Sequence, residues 1–479
     1  MTRQDLYHIL TSSFCHMPTG GQQTVLYHLA AFLLSDKPRP AYLLQGYAGT
    51  GKTTLVTTLV KTLPQIGMHY HLMAPTGRAA KVLSGYTGKN TSTIHRKLYR
   101  FQQYADGSLH VNLSENKAKN TVFIVDECSM IPDDHTKGRS LLDDLIRYVF
   151  NGENCRLLLI GDNAQLPPVG LENSPANDIN VLRSDFNLTV ASFELTEVMR
   201  QNEESGILWN ATELRKLLTP LKTTTPLIST RQSLLPLFNI DGFNDVHRIE
   251  PQEFEELLWQ NFSEKTSNNA VIICKSNKRA NMFNQAIRAR ILQEEGYIAT
   301  GDKLMVVKNN YFWTDEEQKI SFLANGDMIE LMRINNIEEM YGFHFADVEI
   351  RLSDYPEESN LSVKILLETL TSDSPALSSE ESECLYHAIE EDYTDIPNKR
   401  DRYKAMRQNP YFNALQVKFG YALTCHKTQG GQWPTVFVDA PYIKEEESLS
   451  FSDLRWFYTA VTRAREQLYL VNFKDEYFR

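Results

Sequence analysis

The apolar positions of this chain fall into two alternating patterns. Short runs at 41–45, 71–74, 121–125, 156–160 and 188–193 are apolar almost throughout, as in strands buried on both faces. Between them apolar residues recur every three or four positions, as in Leu55, Val56, Leu59, Val60 and Leu63. A further helix, with Thr19 as its N-cap, carries Val25, Leu26, Leu29, Phe32 and Leu33 on one face. Four or five parallel strands with helical crossovers predict a doubly wound α/β unit over residues 1–215. Residues 101–113 alternate loosely about Asp106-Gly107, predicting a β-hairpin insert at about 98–118. A linker is expected over 215–245. A second α/β unit follows, with strands at 270–274, 303–307, 421–424, 435–438 and 467–472 and helices at 281–292 and 456–465. Within it, 327–413 changes character: strand-like pieces (328–334, 347–352, 361–367) alternate with acidic, Ser-rich and Pro-containing stretches. The reading is a small inserted β-domain at 327–413, with 216–326 and 414–479 forming the second unit.

Composition refines this picture only in places. At 479 residues the chain holds more than one core, and 42% hydrophobic with 23% charged residues is ordinary globular usage. A net charge of −11 argues against a wholesale polyanion binder, but the charge is segregated. Residues 380–395 hold seven acids and no Lys or Arg, whereas Arg78, Lys81, Lys89, Arg96, Lys97 and Arg100 fall close together. Six scattered cysteines without a C-x-x-C pair favour free thiols, and no apolar stretch reaches membrane-span length. The expectation is a cytoplasmic, monomeric protein without membrane contact.

The chemistry begins at Gly46-Tyr47-Ala48-Gly49-Thr50-Gly51-Lys52-Thr53-Thr54, which fits G-x-x-x-x-G-K-[ST] between a predicted strand and helix. Such a loop turns backbone N–H groups onto phosphate oxygens at a helix N-terminus. Gly46, Gly49, Thr50, Gly51, Lys52, Thr53 and Thr54 are therefore the candidate ATP-phosphate cradle. Lys52 would reach the β/γ-phosphates and Thr53 would hold Mg²⁺. The buried strand at 121–125 ends in Asp126 and Glu127; with a phosphate loop upstream, Asp126 is the expected Mg²⁺ partner and Glu127 the candidate base. Gln165, after the strand at 156–160, is placed beside the γ-phosphate. Gln22, near a helix start, is a candidate for the adenine edge.

By residue 170 the blocks have a specific order. The phosphate loop, Ala-Pro-Thr-Gly-Arg-Ala-Ala-Lys (74–81), Val-Asp-Glu-Cys-Ser-Met (125–130) and Gly-Asp-x-x-Gln-Leu-Pro-Pro-Val (161–169) resemble superfamily 1 helicases. Tyr-Ala-Leu-Thr-Cys-His-Lys-Thr-Gln-Gly (421–430) and Tyr-Thr-Ala-Val-Thr-Arg-Ala-Arg (458–465) are similar to the RecD/Dda branch. That resemblance implies two RecA-like motor domains with ATP between them and 5′ to 3′ movement on single-stranded DNA. It implies arginine fingers at Arg200 and Arg463, and DNA contacts at Pro75, Thr76, His95, Thr424, His426 and Lys427. It also implies a strand-separating pin at 101–113, an SH3-like barrel for the insert, ss/dsDNA junctions as substrate, and protein partners in repair, recombination or replication. Where the family's ribose-reading Gly-x-Glu is expected, this chain has Gly430-Gly431-Gln432, so Gln432 would read the sugar without charge.

Three other readings use the same residues. Asn398-Lys399-Arg400-Asp401 spells the guanine-reading N-K-x-D of a GTPase switch, but in a polar stretch far from the phosphate loop. A remodelling subunit that unwinds only inside a complex shares every ATPase motif, and a phosphate-contacting groove does not exclude RNA. The acids at 380–395 lack a strand framework for a nuclease metal site and read as a solvated face.

Overall fold

The computed structural model describes residues 1–103, 109–132, 140–197, 205–221, 234–264, 269–314, 322–353, 355, 359–443 and 449–479. In chain order the first unit contains β1 (Pro40–Gly46), β2 (His69–Ala74), β3 (Thr91–Thr93), β4 (Tyr99–Gln103), β5 (Leu109–Leu113), β6 (Thr121–Val125), β7 (Arg156–Gly161) and β8 (Thr189–Leu195). Six of these form a parallel sheet in the order β3-β2-β6-β7-β1-β8, one strand more than the apolar runs predict. The added strand, β3, is three residues long at the sheet edge, too short for a periodicity to register. The strands buried along their whole length, β6 and β7, lie in the interior of the sheet. Edge strand β8 leaves Ala191, Ser192 and Glu194 exposed. β4 and β5 pair antiparallel as a separate hairpin whose tip, with Asp106-Gly107, lies outside the described residues.

The second unit contains β9 (Val246–Ile249), β10 (Ala270–Cys274), β11 (Lys303–Val306), β12 (Met328–Met340), β13 (Phe343–Leu352), β14 (Leu361–Leu366), β15 (Leu415–Phe419), β16 (Ala422–Thr424), β17 (Trp433–Asp439) and β18 (Ala464–Val471). Its parallel sheet runs β16-β10-β17-β18-β9. β11 to β15 close a barrel. The expected sheet strand at 303–307 is corrected here: β11 pairs with β12 and β15 and belongs to the barrel. All four of its residues are buried, so its pattern alone does not say which sheet it joins. The barrel thus takes in chain on both sides of 327–413. Its long β12–β13 hairpin turns on Tyr341 (φ 56°) and Gly342 (φ 75°), a two-residue loop with both φ positive that matches strand twist.

The expected linker and the acidic stretch, read as a solvated face, both contribute residues to packed cores. Helix Gly206–Leu221 crosses the anticipated boundary at 215, and its Ile207, Ala211, Leu214 and Leu218 share one core with Val436, Leu468 and helix Phe451–Val461 of the second unit. Within the expected linker, Leu237 and Phe238 are buried in that same core. The acidic stretch contains helix Ser379–Glu391, capped by a reciprocal Ser378–Glu381 box, with Leu385 and Ile389 packed on Phe343, Phe345 and Met406. Asn398 is an ordinary N-cap whose side chain accepts the Arg400 N–H, which accounts for the N-K-x-D spelling without a guanine.

Candidate functional site: a nucleotide cleft between two motors

The phosphate loop is built by close approach. A Cβ on Gly46 would lie 2.9 Å from Thr50 Oγ1 and 3.0 Å from Leu195 Cβ. Gly49 (φ 76°) and Gly51 (φ 84°) take left-handed turns open to glycine. Helix Lys52–Thr62 follows, with Thr53 and Thr54 half-buried in its first turn. Lys52 Nζ folds back to donate to the carbonyls of Gly46 (2.6 Å) and Tyr47 (2.9 Å). Gln22 is fully buried. Its Nε2 donates to Thr50 O at 3.0 Å and its Oε1 accepts the Thr19 N–H in a capping box. Both ends of the amide hold protein, so in this structure Gln22 braces the phosphate loop rather than presenting an edge to a base.

At the end of β6, Asp126 Oδ1 accepts the Glu127 N–H at 2.9 Å, and Glu127 sits at φ 53°. A left-handed non-glycine residue costs about 1 kcal/mol, strain of the kind that clusters at working sites. Burial, then the Glu127 carboxylate, pushes the Asp126 carboxyl up to about 7, with Lys52 acting in the opposite sense. Gln165 is 7% exposed and its Oε1 has no hydrogen-bond partner among the described residues, an orphaned acceptor buried in the cleft wall.

The second motor reaches this wall directly through helix Phe451–Val461. Tyr458 Oη donates to Asp162 Oδ2 (2.7 Å) and accepts the Ala48 N–H of the phosphate loop (2.9 Å). Thr459 Oγ1 accepts the Leu166 N–H, and Gln429 Nε2 donates to Leu166 O. Arg455 donates to Glu172 O (2.7 Å), Asn163 O (3.2 Å) and Asn173 Oδ1 (2.9 Å). Motif reading missed Arg455 and Gln429 as contacts. For Arg455 the available signal was helical spacing, since 455, 458, 459 and 462 lie on one side of helix Phe451–Val461 and its Thr462 cap. Arg463 itself is buried, donating to Thr459 O, Gly431 O and Thr462 Oγ1, with no carboxylate in ion-pair range among the described residues. Arg200 lies outside the described residues.

The six residues assigned to DNA lie where the motors meet or nearby. Pro75 and Thr76 follow β2, with Thr76 Oγ1 capping the next helix through the Ala79 N–H. A Cβ on Gly430 would lie 3.3 Å from Thr76 Oγ1, so the Thr424–Gly430 segment packs on the Thr76 turn. His95 and His426 are both lowered, first by burial, which keeps the imidazoles neutral at pH 7. Lys427 falls to about 8, through burial and then the neighbouring Lys418. Gln432 departs from its expected role. Its Oε1 accepts the Tyr86 hydroxyl at 3.0 Å, and it lines a cavity of about 460 Å³ with Arg78, Tyr86 and Trp433 that no phosphate-loop residue reaches. The Arg78 guanidinium stacks 3.6 Å over the Trp433 ring there.

Comparison with known proteins agrees with this geometry. Residues 21–218 match the family model described as AAA domain, and residues 419–471 match the UvrD-like helicase C-terminal domain. The ATP-dependent RecD2 DNA helicase of Deinococcus radiodurans is 34% identical over 165 residues, 34% of this chain and 20% of that protein. The ATP-dependent DNA helicase dda of Enterobacteria phage T4 is 35% identical over 176 residues, 36% of this chain and 37% of that protein. These matches thus span well under half of either helicase. An uncharacterized protein of Acanthamoeba polyphaga mimivirus aligns over 98% of its length and 93% of this chain at 24% identity. A crystal structure of Pif1 helicase from Bacteroides in complex with ADP-AlF3 and ssDNA aligns over 96% of this chain and 94% of that chain, at 15% identity and a TM-score of 0.47. In its ordered motif blocks and its two matched family regions, the chain is similar to the superfamily 1 helicases of the RecD/Dda type.

Proposed function

We propose that this protein is an ATP-dependent DNA helicase that hydrolyses ATP with Mg²⁺ between its two motors. It moves 5′ to 3′ on single-stranded DNA and opens ss/dsDNA junctions. The observation that carries this reading is the direct bonding of the second motor to both nucleotide loops of the first, through Tyr458, Thr459, Arg455 and Gln429. A motor needs that connection, because hydrolysis does mechanical work only if one domain senses the nucleotide held by the other.

The donor set suits the nucleotide and its ion. Two adjacent carboxylates, one driven up to about 7, form a site short of positive charge that a divalent cation relieves. Thr53 and Asp126 would hold Mg²⁺, which supplies charge neutralisation of the phosphates when bound. Lys52 releases two backbone carbonyls to meet the β/γ-phosphates. Glu127 aligns and deprotonates the attacking water, and the unpartnered Gln165 Oε1 is poised to orient it. Arg463 and Arg200 bring positive charge to the transition state as the cleft tightens. Thr76, Thr424, His426 and Lys427 offer hydroxyls, neutral rings and one cation to a sugar–phosphate backbone without reading sequence. Free thiols at all six cysteines suit a cytoplasmic setting.

The test is unwinding of partial duplexes carrying a 5′ or a 3′ single-stranded tail, with Lys52→Ala as control. Opening of only the 5′-tailed duplex, abolished in Lys52→Ala, is the expected result. Opening of only the 3′-tailed duplex overturns the direction. Substantial ATP turnover by Lys52→Ala overturns the site.

A further inference from the structure

Resting on the ATPase reading above, we propose that Tyr458 is a positioning residue whose hydroxyl ties cleft closure to the phosphate loop. It accepts the Ala48 N–H on one side and donates to Asp162 on the other.

The hydroxyl is in an unusual place. Tyr458 is 1% exposed and Asp162 2%, so this polar bridge is buried at the contact between motors. One donor and one acceptor on the hydroxyl are each matched at good distance, 2.7 and 2.9 Å. Both partners belong to the first motor, and each leads to a catalytic candidate. Ala48 follows Gly46 and Tyr47, whose carbonyls hold Lys52 Nζ. The other oxygen of Asp162 accepts the Ala164 N–H at 2.9 Å and so sets the turn that carries Gln165. On its own side, Tyr458 is one residue from Thr459, whose carbonyl accepts Arg463 Nε at 3.0 Å. A single hydroxyl therefore links the lysine loop, the glutamine loop and the helix end bearing an arginine finger.

The chemistry suits a closure contact. Burial and the Asp162 carboxylate push the phenol well above its usual range, so the bridge keeps its proton at any working pH. Rotation of the second motor away would orphan a peptide N–H and a carboxylate oxygen together, and an unmet buried polar group is costly. Closure is thereby favoured only when Ala48 and Asp162 are both in register, which couples the geometry of the phosphate loop to arrival of the finger.

The experiment compares Tyr458→Phe, which keeps the ring and removes only the bridge, with Asp162→Asn, whose single carbonyl oxygen can serve the Tyr458 hydroxyl or the Ala164 N–H but not both. Steady-state ATPase with single-stranded DNA gives kcat and KM. Closure is read separately by energy transfer between dyes on the two exposed native cysteines, Cys15 and Cys384, with a non-hydrolysable ATP analogue. For Tyr458→Phe we expect kcat to fall about tenfold with KM changed less than threefold, and the closed fraction at saturating analogue to fall with it. Asp162→Asn should also lower kcat and the closed fraction, because the amide loses one of the two acceptors. A Tyr458→Phe kcat within twofold of the native value overturns the inference, as does a lowered kcat with an unchanged closed fraction. If the native protein itself neither hydrolyses ATP nor closes on the analogue, the ATPase reading fails instead.

Discussion

Replacing Arg455 by alanine should uncouple the motors without unfolding either. Arg455 is 6% exposed, and its guanidinium makes three hydrogen bonds from the second motor to Asn163, Glu172 and Asn173, on both sides of Gln165, at 3.2, 2.7 and 2.9 Å. Hydrogen bonds to a charged group contribute about 1.5–3 kcal/mol each. Against that stands the cost of burying the cation: burial lowers the Arg455 pKa, and its Nε has no hydrogen-bond partner among the described residues. Taking the low end of the range and deducting for desolvation leaves about 3 kcal/mol favouring the closed cleft. At about 1.4 kcal/mol per decade, closure should weaken roughly a hundredfold in Arg455→Ala. DNA-stimulated kcat should fall by a similar factor. The lost bonds cross between motors, so the melting temperature should move little. Arg455→Lys keeps the charge but loses the planar fork, and should recover only part of the activity. A kcat for Arg455→Ala within threefold of the native protein would refute the reasoning. So would a loss of activity matched by a large fall in melting temperature, which would make Arg455 a folding residue.

Glu127→Gln should retain ATP binding and lose at least a hundredfold in hydrolysis; loss of binding, measured by calorimetry, would make Glu127 structural. Affinity for single-stranded DNA should be flat below about pH 7 and decline as pH rises through 8. Lys427, held near 8, loses its proton there, and phosphate favours the charged form. Lys427→Arg should flatten that profile, whereas a native affinity constant from pH 7 to 9 at fixed salt would remove Lys427 from the DNA face. Asp302→Ala should destabilise the junction of barrel and second motor by about 3–5 kcal/mol, because it strands a buried charge. Arg288 is 3% exposed against Asp302, which is fully buried and also accepts the Tyr421 hydroxyl and the Ala299 N–H. An unchanged urea midpoint would show that Arg288 finds another partner.

The two parallel sheets were legible because their central strands are buried on both faces and read as unbroken apolar runs. The catalytic candidates of the first motor were legible because a phosphate loop and an acidic strand end need particular residues at fixed spacing. What escaped was whatever depends on partner choice. β11 is wholly buried and would look the same in a sheet or a barrel. Helix Gly206–Leu221 follows the first motor in sequence yet packs on the second, and nothing in its own period says which core it enters. Gln22 shows the same limit at one residue: its amide could serve a base or the protein, and only the Thr50 carbonyl at 3.0 Å distinguishes them. Gln432 went astray because a motif fixes a position along the chain, while the side chain answers to Tyr86 across the cavity.

One short segment explains how the nucleotide cleft and the proposed DNA face can act together. From Thr424 to Gly431 the chain passes the DNA candidates Thr424, His426 and Lys427. It then gives Gln429 to Leu166 of the first motor and ends with the Gly431 carbonyl on Arg463. Gly430, at φ 71°, lies against Ala79 and Thr76, close enough that a Cβ there would sit 2.6 Å from the Ala79 side chain. A displacement of the second motor therefore moves three DNA candidates, the Leu166 contact and the support of the candidate finger Arg463 as one piece. No long relay through either sheet is needed, since the distance is covered by eight residues of backbone packed between the motors. Stiffness is the property that makes this work, and Gly430 provides it by allowing an approach that any larger residue would prop open.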